Sequence, residues 1–526
     1  MLHTDVQLLR STIGDPMTTA PVVGPAVRLH PADDVAVATQ DLPAGTVVGQ
    51  AVLRAPVPRG HKLAVNAVPA GEPVRKYDQV IGFATTDLAP GDHVHTHNLE
   101  FRAFEREQSR GADMTPTTYV PVEQRATFQG IVRADGRVAT RNYIGILTSV
   151  NCSATTAKII ADSVRSSGLL AQFPEVDGVV ALTHGQGCGM ASSGEGLDTL
   201  QRTLAGYAAH PNFAGFLLIG LGCEVNQVAG LTGAWTLDPS TVVHSMTIQD
   251  EGGTAATVRR GVELIRDMLP VVARVQRVPV PASELVLGLN CGGSDAWSGI
   301  TANPALGAAA DLLVRHGGTA VLGETPEIYG AEHLLTRRAV SDEVAGELME
   351  LIRWWERYTE LHGGSMDNNP SPGNKAGGLT TILEKSLGAV AKGGTTNLTA
   401  VYRYAERVTA KGLVFMDTPG YDPVSVTGIV AGGAHVMCFT TGRGSVLGTK
   451  PTPSLKLATN TDMYRRMSED MDVNAGVVLD GEATVQQLGQ QLFELILQTA
   501  SGRRTRSEEL GFGQEEFVPW QLGAVM

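Results

Sequence analysis

Residues Asn142–Ser298 decide the fold, because within them four predicted strands each run into a cysteine. NYIGILTSV (142–150) leads to Asn151-Cys152, and DGVVALTHGQG (177–187) leads to Cys188. FAGFLLIGLG (213–222) leads to Cys223, and ELVLGLN (284–290) leads to Cys291. The cysteines lie 36, 35 and 68 residues apart. One strand with its crossover helix needs about 30 residues or more, so these gaps correspond to one unit, one unit and two units. The passed-over unit has its own strand, TVVHSMTI (241–248), and ends in Gln249-Asp250-Glu251. Between the strands, TTAKIIADSVRSSG (155–168), GEGLDTLQRTLAGYAAH (194–210) and TAATVRRGVELIRDML (254–269) carry apolar residues at helical spacing. Alternating strands and helices predict a parallel α/β sheet. Such sheets bind ligands beyond the carboxyl ends of their strands. If the four strands are parallel neighbours, the thiols and acids share one rim, the first candidate active site.

Outside this stretch the pattern changes. Residues 1–105 hold short valine-bearing runs broken by Pro and Gly, the signature of a small β-rich domain. Residues 106–127 are polar and contain Pro116 and Pro121, which predicts a linker. A first α/β domain is expected over 128–278, with RVQRVPVPAS (274–283) as its exit, and a second over 279–526. In the second, TAVLGE (319–324), KGLVFMD (411–417), AHVMCFTTGRG (434–444) and LKLATN (455–460) read as strands. SDEVAGELMELIRWWERYTELHGG (341–364) reads as a helix capped by Ser341.

Composition narrows the function classes. In 526 residues, 43% are hydrophobic and 18% charged, enough to bury a large core. A net charge of −13 disfavours general attraction to nucleic acid or anionic membrane. With 5% aromatics, a base-stacking platform is not expected. The N-terminal MLHTDVQLLR lacks a basic segment followed by an apolar run, so no secretory signal is expected, and no apolar run approaches a membrane span. Five widely spaced cysteines do not form a disulfide framework, which points to a reduced, cytoplasmic compartment with thiols free for metal.

Four constellations could carry chemistry. Cys152, Cys188, Cys223 and Cys291, with His184 four residues before Cys188, offer soft donors suited to iron, zinc or an iron–sulfur cluster, although singly each is as well explained as a buried small hydrophobe. Cys438, inside a predicted strand, reads as core. In the first domain, GHKLAVN (60–66) and HVHTHN (93–98) bring His61, Lys62, His93, His95 and His97. Strand alternation would set the last three on one face, where imidazoles can hold a divalent metal. NPSPGNKAGG (369–378) and TTGRGSVLGTK (440–450) are glycine-rich loops whose Asn374, Lys375, Arg443 and Gly444 suit an anionic substrate. Neither matches a phosphate loop, and no GxGxxG opens a helix after a strand. Finally, Glu224, Asp250, Glu251, Asp295, Glu324 and Asp417 fall at strand ends, positions that suit general acids and bases or simple helix caps.

At these residues the chain resembles the altronate/galactarate dehydratase family. The resemblance is carried by DDVAVATQDLPAGT, RGHKLA, KYDQVIG and HVHTHN in the first domain. It continues through RADGRVATRN, GLGCEVNQVA, CGGSDAWSGITANPALG, PEIYGAEHLL, NPSPGNKAGGLTT, EKSLG and FTTGRG. HVHTHN, PEIYGAEHLL and NKAGGLTT are nearer the altronate branch. One departure stands at Ser445-Val446-Leu447, where many members read GRGTPxG. The resemblance implies an SAF-type β domain followed by two α/β domains with mainly parallel sheets. It implies dehydration of a sugar acid, such as D-altronate, to a 2-keto-3-deoxy acid, and a homodimer or larger homo-oligomer. It also implies a divalent metal, Fe²⁺ first, with an iron–sulfur cluster, Mn²⁺ or another divalent ion as alternatives. Metal ligands are expected among Cys152, Cys188, Cys223, Cys291, His95 and His97, and acid/base groups among His61, Lys62, His184, Glu224 and Asp295. Lys375, Asn374, Arg443 and Gly444 are expected to bind the substrate. Galactarate, another 2-hydroxy acid such as a sulfonated one, or binding without catalysis are the alternative readings.

Overall fold

A computed structural model describes residues 22, 23, 25–104 and 109–523. The N-terminal decapeptide, the start and last residue of the 1–105 span and residues 106–108 of the expected linker lie outside these. Among the described residues the first domain is built on two small antiparallel sheets together with a two-stranded pairing of Val47–Val48 with Ala51–Val52. One runs β1 (Val22–Val23), β2 (Ala26–Val27), β3 (Val35–Ala38), β4 (Lys62–Ala64) and then β7 (His93–Val94). The other pairs β5 (Pro73–Lys76), β6 (Gln79–Ala84) and β8 (Leu99–Glu100). HVHTHN is strand only at its first two residues. Beyond Val94 it turns, held by Asn98, whose Oδ1 accepts from the His95 N–H at 2.9 Å and whose Nδ2 donates to the His93 carbonyl at 2.9 Å. Strand alternation therefore does not place the three histidines; the turn gathers them instead.

The next domain is a four-stranded sheet, entirely parallel, in the order β10 (Gly178–Leu182), β9 (Tyr143–Thr148), β11 (Phe213–Gly220), β12 (Val242–Thr247). Every residue of β9 and β11 is buried, as expected where helices cover both faces of a parallel sheet. The chain enters and leaves this domain side by side: Thr127–Val132 pairs antiparallel with Arg277–Pro281, from Thr127 opposite Pro281 to Ile131 opposite Arg277. The exit segment is thus a strand rather than a free spacer.

The last domain is a seven-stranded parallel sheet built from β13 (Val286–Cys291), β14 (Thr319–Leu322), β15 (Leu398–Tyr402), β16 (Gly412–Met416), β17 (Val436–Thr441), β18 (Ser454–Ala458) and β19 (Val473–Asn474). Its order is β15-β16-β14-β13-β17-β18-β19. The first strand has later strands on both sides, so the strand order reverses between β13 and β17 while all strands stay parallel. Helices at Ala302–Arg315, Asp342–Leu361 and Val485–Ala500 pack around it. Ser341 caps the second, accepting from the Val344 N–H at 3.3 Å. NPSPGNKAGG is not wholly loop, since Pro372–Ala376 forms a short helix with Ser371 and Asn374 as a capping box. Among the described residues no helix is long and apolar enough to cross a membrane.

The first domain is not a separate body. Val35, Val74, Ile81 and Val94 share one apolar cluster with Leu287, Ile328 and Leu348 of the seven-stranded domain. An ion triad lies beside that cluster. Glu384, in the helix α1 (Ile382–Val390), accepts from Lys62 Nζ at 2.8 Å and from Lys76 Nζ at 2.9 Å, all three side chains being fully buried. Thr380 adds its N–H at 3.0 Å and hydroxyl at 2.8 Å to the same carboxylate, and Lys62 also donates to the Gly378 carbonyl at 2.6 Å. Burial alone would raise the Glu384 carboxyl; the two ammonium groups overcome it and hold it down to about 2. Burial, only partly offset by Glu384, pushes Lys62 down to about 8.

Glu384→Leu leaves two buried ammonium groups without a counter-charge. The expected loss is about 3–5 kcal/mol of unfolding free energy in urea at pH 7. In the wild-type chain the Glu384 contribution is present above pH 4.5 and lost as pH falls toward 2, because its folded value lies below its unfolded one. A cost under about 1 kcal/mol would mean that the triad does not hold the domains together.

Candidate active site at two sheet edges

In open parallel sheets, ligands sit where strand order reverses, beyond the carboxyl ends. In the seven-stranded sheet this is the crevice between Cys291 of β13 and Thr441 of β17. The loops leaving these strands are tied directly, with Gly442 and Arg443 donating their N–H groups to the Gly293 carbonyl at 3.1 and 2.9 Å. Asp295 fastens the same place from below. Its Oδ1 accepts from the N–H groups of Trp297 (3.1 Å) and Ser298 (3.0 Å), and Thr459 and Asn460 donate to the carboxylate at 3.0–3.2 Å. Gly442 is required here, because a Cβ on it would fall 2.1 Å from Asp295 Cγ, and Gly377 is tightly fitted, its Cβ position lying 3.0 Å from Asp295 Cβ. Asn374 Nδ2 joins the third segment by donating to the Ser294 carbonyl at 2.8 Å.

The first domain supplies the cover. Gly60 lies against Gly377 and Trp297. His95 Nε2 is 2.9 Å from the Lys375 carbonyl, and His61 Nε2 is 3.4 Å from that of Ala376. His61 and His95 stack at 4.7 Å, His61 Nδ1 faces His93 Nε2 at 3.1 Å, and His97 lies 5.4 Å from His93, ring to ring. Burial, with mutual repulsion, holds His93 at about 4; burial holds His95 at about 4 and lowers His61. These three imidazoles are therefore neutral at pH 7. Arg443 is exposed and Lys375 half-buried at the crevice. Of the residues singled out from sequence, His61, His95, Asp295, Asn374, Lys375, Arg443 and Gly444 meet here. Lys62 stands beside them but is committed to Glu384.

Under this crevice is a buried charge network. Lys392 Nζ donates to Cys291 Sγ at 2.7 Å and to Glu324 Oε2 at 3.2 Å, and Cys291 Sγ lies 3.4 Å from Glu327 Oε2. Lys385 Nζ bonds Glu327 Oε1 at 2.7 Å and Asn369 Oδ1 at 2.6 Å. Burial, reinforced by Glu327, pushes Glu324 up to about 8, and burial pushes the Cys291 thiol far above its usual range. Glu324 has φ +68°, a strained conformation for a non-glycine residue, and its buried Oε1 has no hydrogen-bond partner among the described residues. Donor atoms of Cys291, Glu324 and Glu327 lie within 4.8 Å of one another, a spacing that could hold a metal ion. The Lys392 ammonium, however, already supplies a cation there.

The second edge belongs to the four-stranded sheet. Cys152, Cys188 and Cys223 follow β9, β10 and β11, adjacent parallel strands, and all three are exposed. Cys291 does not join them, since it ends a strand of the other sheet and is buried. His184 is buried, with Nε2 2.9 Å from the Thr148 carbonyl and Nδ1 accepting from the Gln186 N–H at 3.2 Å. Glu224 accepts from the Ser149 hydroxyl at 2.6 Å and the Gly222 N–H at 2.7 Å. Both groups are occupied in holding loops. The network of Glu327, Lys385 and Lys392 was not singled out from sequence. Its available signal was charge in an apolar setting, with Lys385 inside the helix ILEKSLGAV and Lys392 two residues beyond its end.

Three family models match the chain: the altronate/galactarate dehydratase SAF domain over residues 25–102, the D-galactarate dehydratase/altronate hydrolase second domain over 130–273, and the D-galactarate/altronate dehydratase C-terminal domain over 282–525. The chain is 38% identical to galactarate dehydratase (L-threo-forming) of Escherichia coli, over 92% of its own length and 94% of the relative's. It is 36% identical to altronate dehydratase of E. coli and 33% identical to altronate dehydratase of Bacillus subtilis, in each case over 92% of this chain and 97% of the relative.

Lys392→Met removes the cation from between Cys291, Glu324 and Glu327. The expected cost is about 3–5 kcal/mol in urea unfolding at pH 8. At pH 6 the cost is smaller, because Glu324 titrates near 8 and its protonated form no longer needs a counter-charge. A small cost, equal at both pH values, would show that Lys392 is not the charge partner.

Proposed function

The chain belongs to the altronate/galactarate dehydratase family, and we propose that it is a hydro-lyase that removes water from a sugar acid to give a 2-keto-3-deoxy acid. The observation that carries this reading is the docking of the neutral imidazoles of His61 and His95 on the Lys375–Ala376 backbone, in a segment that Asn374 ties to the Ser294 carbonyl beside the strand-order reversal of the seven-stranded sheet. D-altronate is the first substrate, on the strength of HVHTHN, PEIYGAEHLL and NKAGGLTT. Galactarate is the second, because the exposed Val446 beside Arg443 departs from the family pattern.

The chemistry demands loss of the C2 proton, beside a carboxylate, and departure of the C3 hydroxyl. Arg443 and Lys375 hold the carboxylate by charge-assisted hydrogen bonds. Their positive charge also opposes the second negative charge that proton removal places on it. His61 takes the C2 proton, since burial keeps it neutral and its stacked neighbour His95 is fixed on the Lys375 carbonyl. The His93–His61 contact passes the proton on and returns one to the departing hydroxide. Lys62 and Asp295 position these groups.

Iron, when bound, supplies Lewis-acid polarisation of the carboxylate and leaving hydroxyl. The soft, exposed thiols of Cys152, Cys188 and Cys223 fit it better than Cys291, whose set contains an ammonium. His95 and His97 offer imidazole donors at the crevice itself. The reading includes a cytoplasmic setting, where thiols stay reduced, and a homodimer or larger assembly, which mass photometry checks.

Anaerobic incubation with D-altronate or galactarate, with and without Fe²⁺, is expected to yield 2-keto-3-deoxy acid. Arg443→Ala should raise KM roughly 10-fold or more, the worth of one hydrogen bond to a charged group. His61→Ala should lower kcat by about 10²–10⁴. The acid limb of the rate profile should fall below pH 6.5, because His61 is lowered from that value. Ligand-induced thermal stabilisation without product from any sugar acid would replace this reading with that of a binding protein.

A further inference from the structure

We propose that Asp422 is a specificity-determining residue by which the crevice tells a sugar acid with one carboxylate from one with two. Its carboxylate accepts hydrogen bonds from hydroxyls at the neutral end of an aldonate such as D-altronate, and it repels the second carboxylate of an aldarate such as galactarate. Its place is fixed by two consecutive glycines that follow Cys291 at the end of β13. A Cβ on Gly292 would lie 2.1 Å from Asp422 Oδ2. A Cβ on Gly293 would lie 3.3 Å from Arg443 Cβ and 3.5 Å from the Gly444 carbonyl oxygen. Neighbouring Cα atoms are about 3.8 Å apart. Asp422 and Arg443 therefore flank one short stretch of backbone, at the strand-order reversal where ligands bind. With one carboxylate held by Arg443, the far end of a sugar acid has Asp422 within reach.

Asp422 is the surplus charge of this place. Lys385 is spent on Glu327 and Asn369, and Lys392 on Cys291 and Glu324. Asn369 in turn donates to Glu327 Oε1 at 2.7 Å. Gly420, in the loop that carries Asp422, lies against Glu327 and Asn369, so this loop roofs the buried network. Asp422 is half-buried and takes a hydrogen bond from its own backbone N–H. Among the described residues no side chain donates to it and no cation forms an ion pair with it. The fully buried Glu324 is near enough to feel its charge and carries an Oε1 with no partner among the described residues. Two acceptors with unused capacity, beside lysines already bonded, suit ligand hydroxyls, which donate. They disfavour a ligand carboxylate, which can only accept.

Asp422 also opens the helix Asp422–Ala431, where an acid favours the helix dipole. That role needs no glycine opposite the carboxylate, and it would leave the choice between two ligands untouched. Burial and Glu327 push Asp422 up to about 6 against the pull of Lys385 and Lys392, so at pH 7 it is mostly ionised and able to repel. The inference deepens the proposed function and rests on it for the ligand class, a sugar acid held by Arg443.

The test compares D-altronate with galactarate on the full chain, wild-type and Asp422→Asn. It reads Kd by calorimetry before Fe²⁺ is added and kcat/KM after. Wild-type protein is expected to favour D-altronate. Asp422→Asn should shift the galactarate-to-altronate ratio toward galactarate by about 10-fold or more, the scale of one like-charge contact near a protein surface. A merely structural role would weaken both acids in parallel. A change on the ligand side is independent of whether the variant folds. On the wild-type chain the monoamide of galactarate, which lacks the second charge, should bind about 10-fold or more tighter than galactarate. In Asp422→Asn that advantage should vanish, as coupling between the two charges requires. A wild-type preference for galactarate, an unchanged ratio in Asp422→Asn, or a monoamide that binds no better than galactarate would each overturn the proposal. Product from both acids with an unchanged ratio would overturn it and leave the dehydratase reading intact. A ratio that shifts in Kd, with no product from either acid, would do the reverse.

Discussion

Two lysines from the first domain share one carboxylate from the last, and the crevice depends on that contact. Desolvating three charges is expensive, and a buried ion group is weak evidence for stability in itself. What this triad provides is position. Lys62 is adjacent to His61, so the bond from Lys62 to Glu384 and to the Gly378 carbonyl sets where the histidine stands. The backbone reinforces it, because a Cβ on Gly378 would lie 2.2 Å from the Gly60 carbonyl oxygen. The first domain can therefore press against the 377–378 segment only because Gly378 lacks a side chain. A domain joined in this way is a fixed wall of the crevice.

The two parallel sheets solve the same problem with different chemistry. Each begins with a central strand whose neighbours were added on both sides, and each therefore has a crevice at its carboxyl edge. The seven-stranded sheet lines its edge with paired charges: Lys385 with Glu327, Lys392 with Glu324, and Asp295 held by hydroxyl and amide groups. The four-stranded sheet leaves exposed thiols at its edge.

Much of this was legible in the sequence, and the failures have identifiable causes. The recurrence of strand and cysteine revealed the parallel units, because a buried parallel strand is a continuous apolar run whatever its neighbours. It could not reveal which sheet a strand joins. Cys291 carries the same local pattern as Cys223, yet the pairing of Thr127–Val132 with Arg277–Pro281 closes one domain before β13 begins. That pairing links residues about 150 apart in the chain, beyond the reach of any local pattern. The histidines of HVHTHN lie together, but Asn98 gathers them by a turn instead of a strand face. Lys385 and Lys392 went unseen because lysine in a helical pattern ordinarily points to water, and only tertiary contact shows these two to be buried.

The Lys392 ammonium bears on how the chain divides its labour. Donor atoms of Cys291, Glu324 and Glu327 lie within 4.8 Å of one another, and where both carboxylates are ionised they repel unless a cation stands between them. A divalent ion could neutralise them, but it would have to displace an ammonium bonded to Cys291 Sγ at 2.7 Å and to Glu324 at 3.2 Å. Burial also raises the thiol, so its metal-binding thiolate form is disfavoured. The exposed thiols of the other sheet carry neither handicap. An internal cation thus satisfies the seven-stranded edge with the chain's own atoms and leaves the strained Glu324 and its unpartnered oxygen as the unbalanced element beneath the crevice.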